Sequence, residues 1–146
     1  MDKEHFTSVH FHRFKAFRDY SISLQEFNVL VGPNNAGKST ILGAFRILAE
    51  GMRKARSRNP TPVPGPDGQT WGYHVELQNV PVATENVFFD YDDRRPATVR
   101  FRISNGNELI LFFPERGSCY LICKTKQKAV RSTSQFLSQY NAPIGF

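Results

Sequence analysis

Residues 8–13 (SVHFHR) alternate, Val9 and Phe11 against His10 and His12, and this period of two predicts a strand with one buried face. A turn is expected at Arg18, Asp19 and Tyr20, then a second short alternating run at 21–24. Residues 27–31 (FNVLV) are almost continuously apolar, the pattern of a central strand buried on both faces. From Ser39 to about Glu50 the period changes: Ile41, Leu42, Phe45, Leu48 and Ala49 recur at helical spacing, and Gly51 is a natural stop. The basic run MRKARSR at 52–58 passes into residues 59–68, where four prolines and two glycines predict a loop without regular structure. Short strands are then expected at 71–77, 86–91, 97–104, 108–113 and 118–124. Asn105-Gly106 marks the clearest hairpin, because that dipeptide supplies the positive φ angles of a tight turn. The second half therefore reads as an antiparallel meander over 71–128, and residues 129–146 contain a short helical possibility at 132–140.

Between the apolar strand and the helix stands Gly32-Pro33-Asn34-Asn35-Ala36-Gly37-Lys38-Ser39-Thr40, which fits G-x-x-x-x-G-K-[ST]. The chemistry needs this order. Gly32 and Gly37 let backbone N–H groups turn inward around phosphates, and the following helix adds its unsatisfied donors and its positive dipole end. Lys38 is the candidate catalytic residue, reaching the β- and γ-phosphates. Ser39 is the candidate Mg²⁺ ligand through its hydroxyl. Thr40 and the amides of Asn34, Asn35, Ala36 and Gly37 complete the candidate cradle. The fold class is thus α/β of the P-loop kind, a single domain over 1–146.

The chain has 146 residues, 40% hydrophobic and 22% charged, with 13 Phe and 5 Tyr, so one folded domain fits and wholesale disorder does not. No stretch approaches the roughly 18 apolar residues of a membrane span, and no apolar secretory segment opens the chain, so a cytoplasmic protein is expected. Cys119 and Cys123 are too few for a disulfide framework or a zinc site and read as buried thiols. His10 and His12 lack a third metal ligand and read as a polar pair. The net charge of +6 gathers in Arg53, Lys54, Arg56 and Arg58, in Arg94, Arg95, Arg100 and Arg102, and in Lys124, Lys126, Lys128 and Arg131. Such clusters suit phosphate backbones, and solvated faces equally; Arg53, Lys54, Arg56, Arg58, Arg100 and Arg102 are the candidate nucleic-acid contacts.

No Asn-Lys-x-Asp motif for reading a guanine base is present, which sets the small GTPases aside. The phrase VGPNNAGKST, preceded by FHRFKAFRDYSISL, resembles the start of the ABC-type ATPase heads of SMC, RecF and overcoming-lysogenization-defect (OLD) family proteins. Those heads carry an apolar strand, then Asn-Phe-Arg-Ser-Phe, then G-P-N-x-x-G-K-S-T. Here the middle element is Arg13-Phe14-Lys15-Ala16-Phe17, with Lys15 in place of the usual Arg. The resemblance covers residues 7–50 and extends as architecture into the meander. It implies ATP with Mg²⁺, a nucleotide contact from Lys15, a homodimer or a partner ATPase closing on the nucleotide, DNA as the substrate surface, and in the OLD branch an associated nuclease and antiphage defence.

The family continues with a glutamine-bearing loop, a signature motif and a Walker B Asp-Glu pair. Gln127, Gln135 and Gln139 are all candidates for the glutamine. Val87-Phe88-Phe89-Asp90 imitates a Walker B strand, but Tyr91 follows where Glu belongs, and the plainer reading is an acidic hairpin end balancing Arg94 and Arg95. The chain thus reads as the N-terminal half of a head, hydrolysing ATP only when the missing segments complete it. Two alternatives stand beside this. One is a non-hydrolysing module in which nucleotide switches binding of nucleic acid or protein; the other is a small-molecule kinase with the proline loop as its lid.

Overall fold

Residues 5–15, 17–24, 35–80, 87–88, 92–125 and 128–140 are described by the computed structural model, with the backbone alone at 35–38. Within them the chain forms β1 (Phe6–Phe14), β2 (Phe17–Ser23), α1 (Asn35–Ala55), β3 (Thr61–Gly65), β4 (Gly68–His74), β5 (Ala97–Ile103), β6 (Glu108–Phe113), β7 (Tyr120–Thr125), β8 (Lys128–Ala129) and α2 (Thr133–Tyr140). The strands make one sheet in the order β2, β1, β5, β6, β7, β4, β3, with β8 also on β7. Every described pairing is antiparallel. The apolar strand expected at 27–31 lies outside the described residues.

The meander is present as β5, β6 and β7, paired Val99 to Leu111 and Leu111 to Leu121. Its first turn differs in detail from the expected one. Only Gly106 has a positive φ, of 90°. Its N–H donates to the Ile103 carbonyl, while Asn105 serves through its side chain, accepting the N–H of Asn107 at 2.9 Å. This is a three-residue loop ending in a left-handed glycine.

Four expectations are corrected. The turn placed at Arg18–Tyr20 is strand β2, and the chain reverses earlier, where Phe14 pairs with Phe17. That register sets Phe17 5.0 Å from Phe11 and stacks it on Tyr20 at 4.6 Å. The proline-rich stretch is not a loop: Thr61–Gly65 pairs with Gly68–His74 as a hairpin. Pro62 and Pro64 are tolerated because β3 is the edge strand, where alternate N–H groups face away from the sheet. Helix α1 does not stop at Gly51 but runs to Ala55, and Ala49, read as part of the apolar face, is exposed. Gly51 is there for space: a Cβ would meet Leu121 Cδ2 at 2.9 Å and Val75 Cγ2 at 3.2 Å. Finally, the strand expected at 71–77 runs instead over Gly68–His74, with Leu77 in a short 3-10 turn. Of the strand expected at 86–91 only residues 87–88 are described, and there Phe88 bridges to Phe14.

Strand alternation divides the apolar residues between two faces. Leu109, Leu111, Phe113, Leu121 and Cys123 join Val9, Phe11, Val99 and Phe101 beneath Ile41, Ala44, Ile47 and Leu48 of α1 and Phe136 and Tyr140 of α2. On the other face Ile110, Phe112 and Ile122 form a small second cluster with Val63 of the hairpin. Gly72 permits that hairpin to lie so close: a Cβ there would stand 2.5 Å from the Leu121 carbonyl oxygen. Backbone cannot yield as a side-chain tip can, so Gly72→Ala is expected to lower stability by about 1–3 kcal/mol in urea unfolding. An unchanged midpoint would refute this packing role.

Candidate functional site

Helix α1 starts at Asn35, inside the phosphate-loop motif, so Asn35, Ala36, Gly37 and Lys38 form its first turn. The leading N–H groups of any helix lack intrahelical acceptors and carry the positive end of its dipole. No acidic residue lies in that first turn to compete for them. Arg53 and Lys54 occupy the last turn, where cations complement the opposite pole. Ser39 is exposed, leaving its hydroxyl accessible to a metal ion, while Thr40 is 6% exposed on the face that continues into Ala44 and Ile47. The donor set offered here, backbone N–H groups with an accessible hydroxyl, fits a phosphate and Mg²⁺. Gly32, Pro33 and Asn34 lie outside the described residues, and the side chains of Asn35 and Lys38 do likewise.

The helix is held in place by its buried face. Phe45 of α1 meets Phe6 and Phe101 at ring distances of 5.4 and 5.1 Å, both edge-on. Ile41, Ala44, Ile47 and Leu48 are essentially inaccessible. The sheet thus presents the first turn of α1 from a rigid base.

Lys15 sits in the turn between β1 and β2. Both Arg13 and Lys15 adopt the left-handed backbone, with φ of 53° and 50°. For residues with a Cβ this conformation costs about 1–2 kcal/mol each, so surrounding structure must impose it. A distant segment does so: the Lys15 N–H donates to the Val87 carbonyl at 2.8 Å, Phe88 bridges to Phe14, and Arg13 pairs with Asp92 at 3.5 Å. Sequence reading missed this clamp, since no spacing connects residues 13–15 with 87–92.

The imitation of Walker B resolves in part. Val87 and Phe88 are buried, and Phe89, Asp90 and Tyr91 lie outside the described residues. Asp92 accepts hydrogen bonds from Arg94, whose guanidinium is 2.9 Å away and holds that carboxyl below its ordinary pKa. Asp93 pairs with Arg116 at 3.3 Å rather than with Arg95. Among the three glutamines, Gln135 caps α2 by accepting the N–H of Arg131, Gln139 accepts from Asn107, and Gln127 lies outside the described residues. Ser132 adds to that cap by accepting the N–H of Gln135 at 3.1 Å.

The basic residues divide by how their donors are used. Arg53 is hydrogen-bonded to Glu50, and Lys54 donates to the His74 carbonyl at 2.7 Å. Arg56 and Arg58 are exposed just beyond. Arg100 and Arg102 project from the sheet face opposite the helices. His10 is bound by Ser21 at Nδ1 and by Asp19 at Nε2, which makes it a cross-strand polar contact. Cys119 and Cys123 are both buried, and burial pushes both thiols up, keeping them protonated. Among the described residues no group of three His, Cys, Asp or Glu could hold a metal, and no helix is long and apolar enough to cross a membrane.

The family model described as the AAA ATPase domain matches residues 6–129, from the first residue of β1 to the last of β8. No curated protein and no solved structure matches the chain. The match spans the phosphate loop together with the sheet that carries it, and on that ground the chain belongs to the AAA ATPase domain family of ATP-binding ATPases.

Proposed function

We propose that this chain is the ATP-binding N-terminal segment of an ATPase head of the SMC, RecF or OLD kind, in which ATP at the phosphate loop draws two heads together on DNA. One observation carries the reading: G-x-x-x-x-G-K-S-T coincides with the N-terminal turn of a long, firmly packed helix, and that first turn lacks acidic residues. Lys38 neutralises the β- and γ-phosphates, Ser39 holds Mg²⁺, and the amides of Asn35, Ala36 and Gly37, with Gly32, Asn34 and Thr40, surround the phosphate oxygens. Mg²⁺ held there would supply charge neutralisation at the phosphates. Lys15 reaches the nucleotide from the β1–β2 turn, and its enforced left-handed backbone supports a positioned role. Repair or antiphage defence in the cytoplasm, with an associated nuclease, is the setting this reading favours.

The test is Mg²⁺–ATP binding by calorimetry, with steady-state phosphate release measured on the same protein. Binding with no release above that of Lys38→Ala is expected. Failure to bind ATP would overturn the nucleotide assignment, and release that depends on Lys38 would overturn the reading as a segment awaiting its Walker B and signature parts.

A further inference from the structure

The sheet face turned away from α1 and α2 carries polar groups in cross-strand rows. Register places His10 beside Arg100, and Ser8 beside Arg102, on β1 and β5. On the far side Arg102 faces Glu108 of β6, and Glu108 faces Lys124 of β7. Arg100, Gly106, Glu108 and Lys124 line a cavity of about 320 Å³. Two of these cations thus pair with one carboxylate, that of Glu108, which stands 3.7 Å from Arg100 Nη1 and 3.7 Å from Arg102 Nε, and Lys124 lies beside it in register. Those separations are ion-pair distances beyond hydrogen-bond length, and among the described residues neither guanidinium makes a hydrogen bond. Their donors are therefore still to be used, in contrast to those of Arg53 and Lys54.

The base of this patch is stiff. Next in register are Ile110 and Ile122, fully buried beneath the proline hairpin. From the opposite face the Tyr140 hydroxyl bonds to the Lys124 carbonyl at 3.0 Å and lies 3.4 Å from that of Glu108, so α2 fixes the strand ends that bear the charges. The face also lacks a stacking platform. Among the described residues the exposed large hydrophobics are Tyr20 and Leu137. Tyr20 is paired with Phe11, whose side chain enters the core, and Leu137 belongs to α2. Tyr120 does lie on this face but packs into the cluster under the hairpin.

We infer that this face, through Arg100, Arg102 and Lys124, binds the phosphate backbone of a nucleic-acid duplex without reading its sequence. Cations with free donors and flanking hydroxyls suit phosphate oxygens, and the missing aromatic platform disfavours single strands, whose bases need stacking. Glu108 acts as an internal counter-charge that spaces the cations and weakens the grip. The inference rests on the nucleic-acid part of the function proposed above and is independent of its ATP part.

The test uses fluorescence anisotropy of the full chain with a labelled 30-base-pair duplex of DNA, the same duplex as RNA, a second unrelated sequence, and a single strand, over a salt series. Duplexes of either sequence are expected to bind alike and more tightly than the single strand; DNA or RNA binding fits the shared backbone chemistry. Arg100→Gln with Arg102→Gln should weaken duplex binding roughly tenfold or more and flatten the salt slope by about two, one per lost phosphate contact. Glu108→Gln should tighten it, a gain that misfolding cannot produce. Arg56→Gln with Arg58→Gln should cost less than the sheet pair. Duplex binding that survives loss of both arginines, or tightest binding to the single strand, overturns this inference alone. No duplex binding by the unaltered chain overturns it together with the nucleic-acid reading, while ATP binding has its own readout.

Discussion

Lys38→Ala is expected to weaken Mg²⁺–ATP binding by roughly tenfold to a hundredfold. The residue lies in the first turn of α1, where backbone N–H groups lack intrahelical acceptors and one compact cation adds to them. A hydrogen bond to a charged group contributes about 1.5–3 kcal/mol, and about 1.4 kcal/mol is a factor of ten in affinity. Because the helix is held by residues from Ile41 onward, the substitution should leave thermal unfolding nearly unchanged. Calorimetric titration with ATP beside a melting curve checks both halves. An affinity within about twofold of the unaltered chain would remove Lys38 from the site.

The second large effect is expected far from the phosphate loop. Phe101 is wholly buried at the centre of β5, edge-on to Phe45 of α1 and 6.0 Å from Phe6. Phe101→Ala should cost about 3–5 kcal/mol, from lost transfer energy and the cavity left behind. That is a large share of the roughly 5–15 kcal/mol by which a domain is stable. The cavity would open under the helix that presents the phosphate loop, so ATP affinity should fall along with stability. Urea unfolding measures the first and calorimetry the second. A loss below about 1 kcal/mol would show that α1 is anchored elsewhere.

The phosphate-loop motif was legible because its pattern is local: two glycines, a lysine and a hydroxyl at fixed spacing, followed by a helix with one apolar face. Strands β5, β6 and β7 were legible too, since each is a short run rich in apolar residues and Asn105-Gly106 joins the first two. Errors arose where a distant partner decided the conformation. Gly51 looks like a helix stop until Leu121 and Val75 are seen against it, and Pro62 and Pro64 look like loop residues until β4 pairs with them along one edge. The left-handed Arg13 and Lys15 depend on Val87, Phe88 and Asp92, more than 70 positions away, and no local preference announces them. Charge followed the same division. Composition located the basic residues, but pairing decided which donors remain free: Arg53 and Lys54 are engaged on α1, whereas Arg100 and Arg102 share one carboxylate beside Lys124 on a face created only when four strands come into register. Sequence by itself determined the nucleotide-binding motif and the antiparallel core, because both are written in short-range spacing. Only the tertiary structure decided where strands meet edges and which charges are satisfied, because close approach and ion pairing depend on residues that the chain separates and the fold brings together.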